Sequence, residues 1–222
     1  PAKIAQAEAK AVRELKRDVE ATLLSANDRA VEDGAGTVYK LRGLGDWIDS
    51  AGPADVPSSF RTPADSIHAT GAFTETSMNN IITSIYRVSG TTNSLTLVAD
   101  TALRRIISDF ARLDPDGSGA GTSIRNVNYN GDVAQIKLSV ELYQSDHGIV
   151  SVVNMNPDCA PDTSNKDTGY FVNPEYAGIG ELIPMGSSRL PNQGGGERGF
   201  VDCALTLAVY HPGAHGKITA IA

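Results

Sequence analysis

Apolar residues recur every three to four positions over residues 1–26, as one face of a helix requires. The stripe consists of Ile4, Ala11, Val12, Leu15, Val19 and Leu23. Strong helix formers occupy most of the other positions, and no glycine or internal proline interrupts them. Lys10 and Glu14, like Lys16 and Glu20, are four residues apart and can pair along the exposed sides. The pattern predicts a helix roughly 35 Å long that rests on another layer through a narrow apolar face.

A second helical pattern follows Thr74, which has the residue type of an N-cap, and ends at Gly90, a typical C-cap. Its apolar face holds Met78, Ile81, Ile82, Ile85 and Val88. Residues 93–99 then alternate like a strand, and Asp100 caps a third helix with an apolar face of Leu103, Ile106, Ile107 and Phe110. This helix–strand–helix order predicts a mixed α/β lobe with helices packed on a sheet.

Alternating apolar residues predict an antiparallel hairpin between residues 135 and 153. Its first strand, residues 135–143, should point Ile136, Leu138, Val140 and Leu142 inward, and residues 145–148 should form the turn. Residues 126–131, which precede this hairpin, have the composition of a turn. Further extended segments are predicted at residues 170–172, 179–184 and 200–210.

The remaining stretches are not periodic. Trp47, the only tryptophan, lies between Leu44 and Ile48 and is typical of a packing anchor. Residues 50–64 contain three prolines and predict an extended crossing between lobes. Glycine-rich residues 114–123 and 187–196 predict loops.

Composition narrows the class of protein. A chain of 222 residues suits one large domain or two closely packed lobes, and 41% hydrophobic with 20% charged residues is ordinary for a soluble globular protein. A net charge of −7 argues against a nucleic-acid binder that works by bulk electrostatics. No apolar run is long enough to predict a membrane span. Since the sequence starts at Pro1 without Met or a signal-peptide core, we expect a processed product or a fragment.

The two cysteines, Cys159 and Cys203, are far apart in sequence and form no CxxC pair. We expect two separate reduced thiols, no disulfide and an intracellular origin.

Candidate chemistry is sparse. Asp114, Asp116 and Ser118 imitate the start of an EF-hand calcium loop, but Arg125 occupies the position of its bidentate glutamate, so a solvated turn is favoured. The four histidines have no metal-ligand spacing, and no GxSxG nucleophile motif is present. The glycine-rich runs lack the lysine of a Walker loop. We therefore predict no catalytic residue, no metal and no cofactor. The pattern favours a protein that functions by forming an interface with other protein molecules.

The order of several stretches resembles the major capsid protein family of tailed bacteriophages, which has the Hong Kong 97-type fold. The matching stretches are residues 13–20 in the long helix, 43–48, the two helices around 95–98, the hairpin 140–153, residues 172–176 and the strand 204–207. The resemblance implies an α+β fold with a long spine helix, a peripheral-domain sheet and a mixed α/β axial domain. It implies a peripheral domain at residues 1–64, an axial domain at 65–185 and a return to the peripheral domain at 186–222. The family's N-terminal arm and extended loop have no counterpart here, so we expect that upstream residues are missing.

The resemblance also implies a function. Copies of the chain would form hexamers and pentamers of an icosahedral shell around packaged DNA, without catalysis, sequence-specific DNA binding or a membrane. Scaffold, portal or decoration proteins would be further partners, with the virion as location and the host cytoplasm as the place of assembly. Subunit contacts are predicted at Arg13, Lys16, Arg17, Asp114, Asp116, Ser118 and Arg125, the first three with a solvated charged face as the competing explanation. Two alternatives remain: an encapsulin-type compartment shell, or a small α/β enzyme or ligand-binding module that uses His147 or the Asp114 loop.

Overall fold

The computed structural model describes residues 2–92, 94–110, 127–130, 133–136, 141–156, 159, 168–191, 194 and 198–219, and the side chains of all of these except residues 2, 3, 127–130 and 133–136. The α-helices are α1 (Ala2–Leu24), α2 (Leu44–Trp47), α3 (Glu75–Ser89) and α4 (Thr101–Asp109). Short 3-10 turns lie at Ser58–Phe60, Ala64–Ser66, Pro174–Tyr176 and Pro212–Ala214. The strands are β1 (Ile67–His68), β2 (Thr96–Ala99), β3 (Val127–Asn130), β4 (Val133–Ile136), β5 (Leu142–Ser145), β6 (Gly148–Asn154), β7 (Gly169–Val172), β8 (Ala177–Leu190), β9 (Arg198–Val209) and β10 (Gly216–Ile218). The predicted α+β class is confirmed.

A six-stranded mixed sheet forms the main body, in the order β1-β10-β7-β2-β6-β5. The pairs β1–β10 and β2–β6 are parallel, and the other three pairs are antiparallel. The main core combines apolar residues of α3 and α4 with residues of β2, β6, β7 and β10, so both helices cover one sheet face. This confirms the predicted lobe in which helices pack on a sheet.

Local capping sets both ends of α3 and the start of α4, as predicted. The Thr74 hydroxyl accepts a hydrogen bond from the Ser77 amide at 3.2 Å, and Gly90 ends α3 in the left-handed region at φ 71°. The Asp100 carboxylate accepts a hydrogen bond from the Thr101 amide at 2.5 Å. These caps satisfy backbone groups that a helix end leaves unpaired.

The β5–β6 hairpin has the predicted turn, since Ser145 pairs with Gly148 across Asp146 and His147. Its first strand differs from the prediction. The sequence put one strand over residues 135–143, but β4 ends at Ile136, and β5 begins at Leu142, with residues 137–140 outside the described part. Leu142 is 65% exposed rather than inward, because β5 is an edge strand whose Tyr143 takes the core side.

Residues 126–131 were predicted as a turn, and this was wrong for residues 127–130. They form β3, which pairs antiparallel with β4. Cross-strand pairing overrides the low strand propensity of their asparagines.

A smaller core lies on the sheet face opposite α3 and α4. It contains Leu44, Ile48, Met155 and Tyr170, and Leu24, Val98, Val172, Leu207 and Val209 pack against it. The predicted anchor was therefore only partly right: Trp47 stays half-buried, and its neighbours Leu44 and Ile48 fill the core. Through this core the end of α1 and the end of β9 meet the six-stranded sheet.

Strands β8 and β9 form a long antiparallel ribbon, hereafter the ribbon. The predicted strand at residues 200–210 is confirmed in β9. The predicted loop at residues 187–196 was wrong for its first four residues, because β8 continues to Leu190. Two register shifts, between Glu181 and Ile183 and between Ile183 and Gly186, absorb extra residues, and the second of them contains Pro184. A bulge tolerates proline because a bulged residue is left out of the hydrogen-bond ladder and needs no N–H donor.

The chain end returns to the six-stranded sheet, where β10 lies between β1 and β7. The predicted boundary between residues 185 and 186 falls inside β8, and the division into three segments remains a prediction. Both cysteines are free thiols, Cys159 buried and Cys203 half-buried, as predicted. None of the helices in the described ranges is both long and apolar enough to span a membrane.

Candidate functional site

Helix α1 packs lengthwise on β9, the strand that the sequence predicted over residues 200–210. Its apolar stripe is only half-buried, and none of Ile4, Leu15 and Val19 reaches full burial. A single ribbon cannot enclose a rod of this length, because two strands are narrower than the helix with its side chains. The helix and the ribbon together are therefore a layer with free surface on several sides.

The ribbon exposes apolar side chains to an unusual degree. Leu182, placed in the first register shift, is 85% exposed, and Ile179, Ile183, Leu190 and Phe200 are also exposed. Within the described residues, β8 and β9 pair only with each other, so the ribbon has two open edges. Exposed apolar patches and open strand edges are typical of surfaces that bind another protein.

A groove of about 440 Å³ lies between the N-terminal half of α1 and the far end of the ribbon. Ile4, Ala7 and Ala11 line its helix side, and Phe200 and Val201 its ribbon side. Arg189 and Arg198 add positive charge, and Glu8 accepts a hydrogen bond from the Ser187 hydroxyl across it. Small side chains at Ala7 and Ala11 keep this groove open.

A loop projects after α1 and is closed by two backbone hydrogen bonds between Ala30 and Lys40, of 3.2 and 3.0 Å. We call residues 30–40 the closed loop. Val31, Val38 and Tyr39 are exposed in it, with Tyr39 71% exposed. The Asp33 carboxylate accepts hydrogen bonds from the Ala35 amide and the Thr37 hydroxyl, which shape its tip.

Arg42 anchors the base of the closed loop. Its side chain is 6% exposed and pairs with Asp28 at 2.8 Å, Asp46 at 3.1 Å and Asp55 at 3.2 Å. The guanidinium also lies over the Trp47 ring, 4.9 Å from its centre. One buried cation thus joins both sides of the loop to α2 and to the crossing segment.

The carboxylates around Arg42 differ in their electrostatics. Hydrogen bonds from Arg42 lower the pKa of Asp28 and of Asp55 below their usual value. Burial raises the pKa of Asp46, and the nearby charge of Asp28 raises it further. The buried Oδ2 atom of Asp46 forms an ion pair with Arg42 but accepts no hydrogen bond from it. Asp46 therefore lacks the hydrogen bonds that lower the pKa of the other two carboxylates.

The predicted contact residues fall into two groups. Arg13, Lys16 and Arg17 lie on the exposed side of α1, and the Arg17 carbonyl accepts a hydrogen bond from the Cys159 thiol at 3.4 Å. Asp114, Asp116, Ser118 and Arg125 lie outside the described residues. Their role as subunit contacts stays a prediction.

The histidines take structural positions. His147 stacks on Tyr86 with ring centres 4.8 Å apart, and His68 packs against Phe73. His215 is fully buried, and its Nδ1 accepts a hydrogen bond from the Asn173 amide at 3.2 Å. In the portion of the chain that the structure describes, no group of three or more histidine, cysteine, aspartate or glutamate residues could hold a metal ion.

The Arg42 cluster, the closed loop and the groove were missed at the sequence level. One local signal existed, since Arg42 and Asp46 are four residues apart and Trp47 follows. The partners Asp28 and Asp55 are distant in sequence, and no periodicity identifies them.

Comparison with known protein families gives a match over nearly the whole chain. The family model described as SU10 major capsid protein matches residues 2–222, nearly the whole chain. No curated protein matches the chain.

Proposed function

We propose, because the chain belongs to the SU10 major capsid protein family, that its copies associate into hexamers and pentamers of an icosahedral shell that encloses DNA. Members of a major capsid protein family are structural components of the virion, of the bacteriophage head type. The finer proposal concerns how this chain assembles. It includes the Hong Kong 97-type fold, with α1 as the spine helix.

The exposed apolar surface of the ribbon is the observation that carries the proposal. Leu182, Ile183 and Phe200 lie exposed on the ribbon, whose strand β9 packs on α1. If a neighbouring copy buried such a residue, each large side chain would contribute about 1.5–3 kcal/mol of favourable free energy to association. Repeated over a closed symmetric assembly, such contacts stabilise a shell.

The domain division is part of the same proposal. Residues 1–64 and 186–222 would form the peripheral domain and residues 65–185 the axial domain. Scaffold, portal and decoration proteins would bind the assembled shell, and assembly would take place in the host cytoplasm. The shell would hold DNA without reading its sequence, as the net charge of −7 favours.

Sedimentation velocity and negative-stain electron microscopy of the full chain test the proposal. Wild-type protein should form capsomers or shells at rising concentration. Leu182→Asp should reduce assembly while the circular dichroism spectrum stays unchanged, because a side chain that is mostly in water contributes little to the monomer's stability. Leu182→Met is the matched control and should assemble like wild type. A wild-type chain that stays monomeric at every concentration and ionic strength would refute the proposal.

A further inference from the structure

We propose that the groove between α1 and the ribbon receives the closed loop of a second copy of this chain. The inference rests on the proposed function, because it names the contact through which copies associate. Neither surface has a described partner within its own chain.

The chemistry of the groove defines its ligand. Ile4, Ala7, Ala11 and Phe200 give apolar walls, and about 440 Å³ is enough volume for a few side chains. Arg189 makes no ion pair with any described residue. An apolar ligand that also carries a carboxylate would therefore fit this groove best, because Arg189 is exposed now and would require a paired charge once a ligand buried it.

The closed loop has this chemistry. Val31, Val38 and Tyr39 are exposed apolar groups, and Glu32 and Asp33 follow Val31 directly. The Ala30–Lys40 hydrogen bonds and the Arg42 cluster hold the loop in shape before binding. A preformed ligand loses less conformational entropy on binding than a flexible one.

The two features cannot meet within one chain. The groove begins at Ile4 and Ala7, near the start of α1, and the closed loop follows its last residue, Leu24. About 17 helical residues at ~1.5 Å each separate Ala7 from Leu24, which is roughly 25 Å. Only another copy can supply the loop, and such a head-to-tail contact is heterologous. Contacts of this kind close into rings when the rotation between copies allows it.

Charge reversal tests the pairing of the two surfaces. Arg189→Glu and Glu32→Lys should each lower the assembled fraction roughly tenfold at fixed protein concentration, since like charges then face each other. A chain that carries both substitutions should recover most of the loss. Arg105→Glu, which reverses an exposed charge on α4, is the control and should assemble like wild type.

Cross-linking gives a second readout that does not depend on a fold-change. In a Cys203→Ser background, a mixture of Glu32→Cys chains with Arg189→Cys chains should form disulfide-linked dimers on oxidation. Either variant alone should form far fewer. An assembling wild type that gives no mixed dimer and no recovery in the double variant would overturn this inference and leave the proposed function standing. A wild-type chain that never assembles, with no mixed dimer, would overturn both.

Discussion

The Tyr170 hydroxyl donates a hydrogen bond of 3.0 Å to the main-chain carbonyl of Leu24, the last residue of α1. Tyr170 lies on β7, near the centre of the six-stranded sheet, so this bond joins the long helix to the main body. Burial raises the pKa of the Tyr170 hydroxyl far above its usual value, which keeps the proton available for donation. Lys217 strengthens the same junction, because its ammonium group donates to the Gly45 carbonyl at 2.9 Å. The orientation of α1, and with it the groove and the closed loop, depends on this junction.

Tyr170→Phe should lower the free energy of unfolding by about 1 kcal/mol, the usual net value of one hydrogen bond. The ring stays packed, so only the hydroxyl and its partner carbonyl are affected. Urea denaturation followed by circular dichroism measures the change. Tyr86→Phe, at an exposed ring that stacks on His147, should change stability by less than about 0.5 kcal/mol. Equal losses in both variants would show that the junction contributes nothing specific.

Gly43→Ala should destabilise the protein by about 1–3 kcal/mol through overpacking. A Cβ atom at Gly43 would overlap the carbonyl oxygen of Ser25, which belongs to the backbone and cannot rotate away. Gly186→Ala is the matched control, because its Cβ would lie 3.7 Å from the nearest atom, the Pro184 carbonyl oxygen. Thermal unfolding of the two variants tests this prediction. It would be contradicted if Gly43→Ala had the same melting temperature as Gly186→Ala.

The sequence predicted elements whose signal is local. Periodicity and capping residues located α1, α3 and α4, and the turn around Asp146 located the β5–β6 hairpin. The alternation of residues 93–99 located β2 in the same way. These signals depend on residues only a few positions apart, so they can be recognised without knowing which distant residues come into contact.

Other features depend on residues that are distant in sequence. The second half of β8 continues through Pro184 and a Gly-Ser-Ser run because β9 supplies its hydrogen-bonding partner, although no local propensity favours this half. Leu142 alternates like an inward residue, yet its strand lies at the sheet edge, where only one face is covered. The groove exists only once α1 has packed on the ribbon, so its two arginines, Arg189 and Arg198, could not be recognised from spacing.

Arg42→Lys should lower the free energy of unfolding by about 2 kcal/mol, since lysine cannot hold three carboxylates and stack on Trp47 at once. Arg29→Lys is the control. Arg29 forms an exposed pair with Asp55 at 3.2 Å, and such pairs contribute about 0–1 kcal/mol. Chemical denaturation at low and high salt distinguishes the two sites. If both variants lost the same amount, the burial of Arg42 would have no energetic consequence.

Acidification should destabilise the protein through His215. The pKa of His215 is lowered to about 4, mainly by burial and to a smaller extent by the charge of His211, while the backbone of Tyr176 opposes the shift. The unfolded chain binds a proton near the ordinary histidine pKa of about 6.5. Between these values the unfolded state holds more protons than the folded state, so stability falls as pH falls from about 6.5 to 4. Over this whole pH range the protein should lose about 3 kcal/mol of its free energy of unfolding.

His215→Gln should remove this part of the pH dependence, because an amide can accept the Asn173 hydrogen bond but does not titrate. The measurement is the free energy of unfolding in urea at about pH 7 and pH 4.5, where wild type should lose about 2 kcal/mol more than the variant. His147→Gln, at a half-buried histidine in the β5–β6 turn, is the control for the substitution itself. The neutral-pH stability of His215→Gln separates a packing defect from the titration, since a packing defect lowers stability equally at both pH values. A wild-type slope in His215→Gln would contradict the assignment to His215.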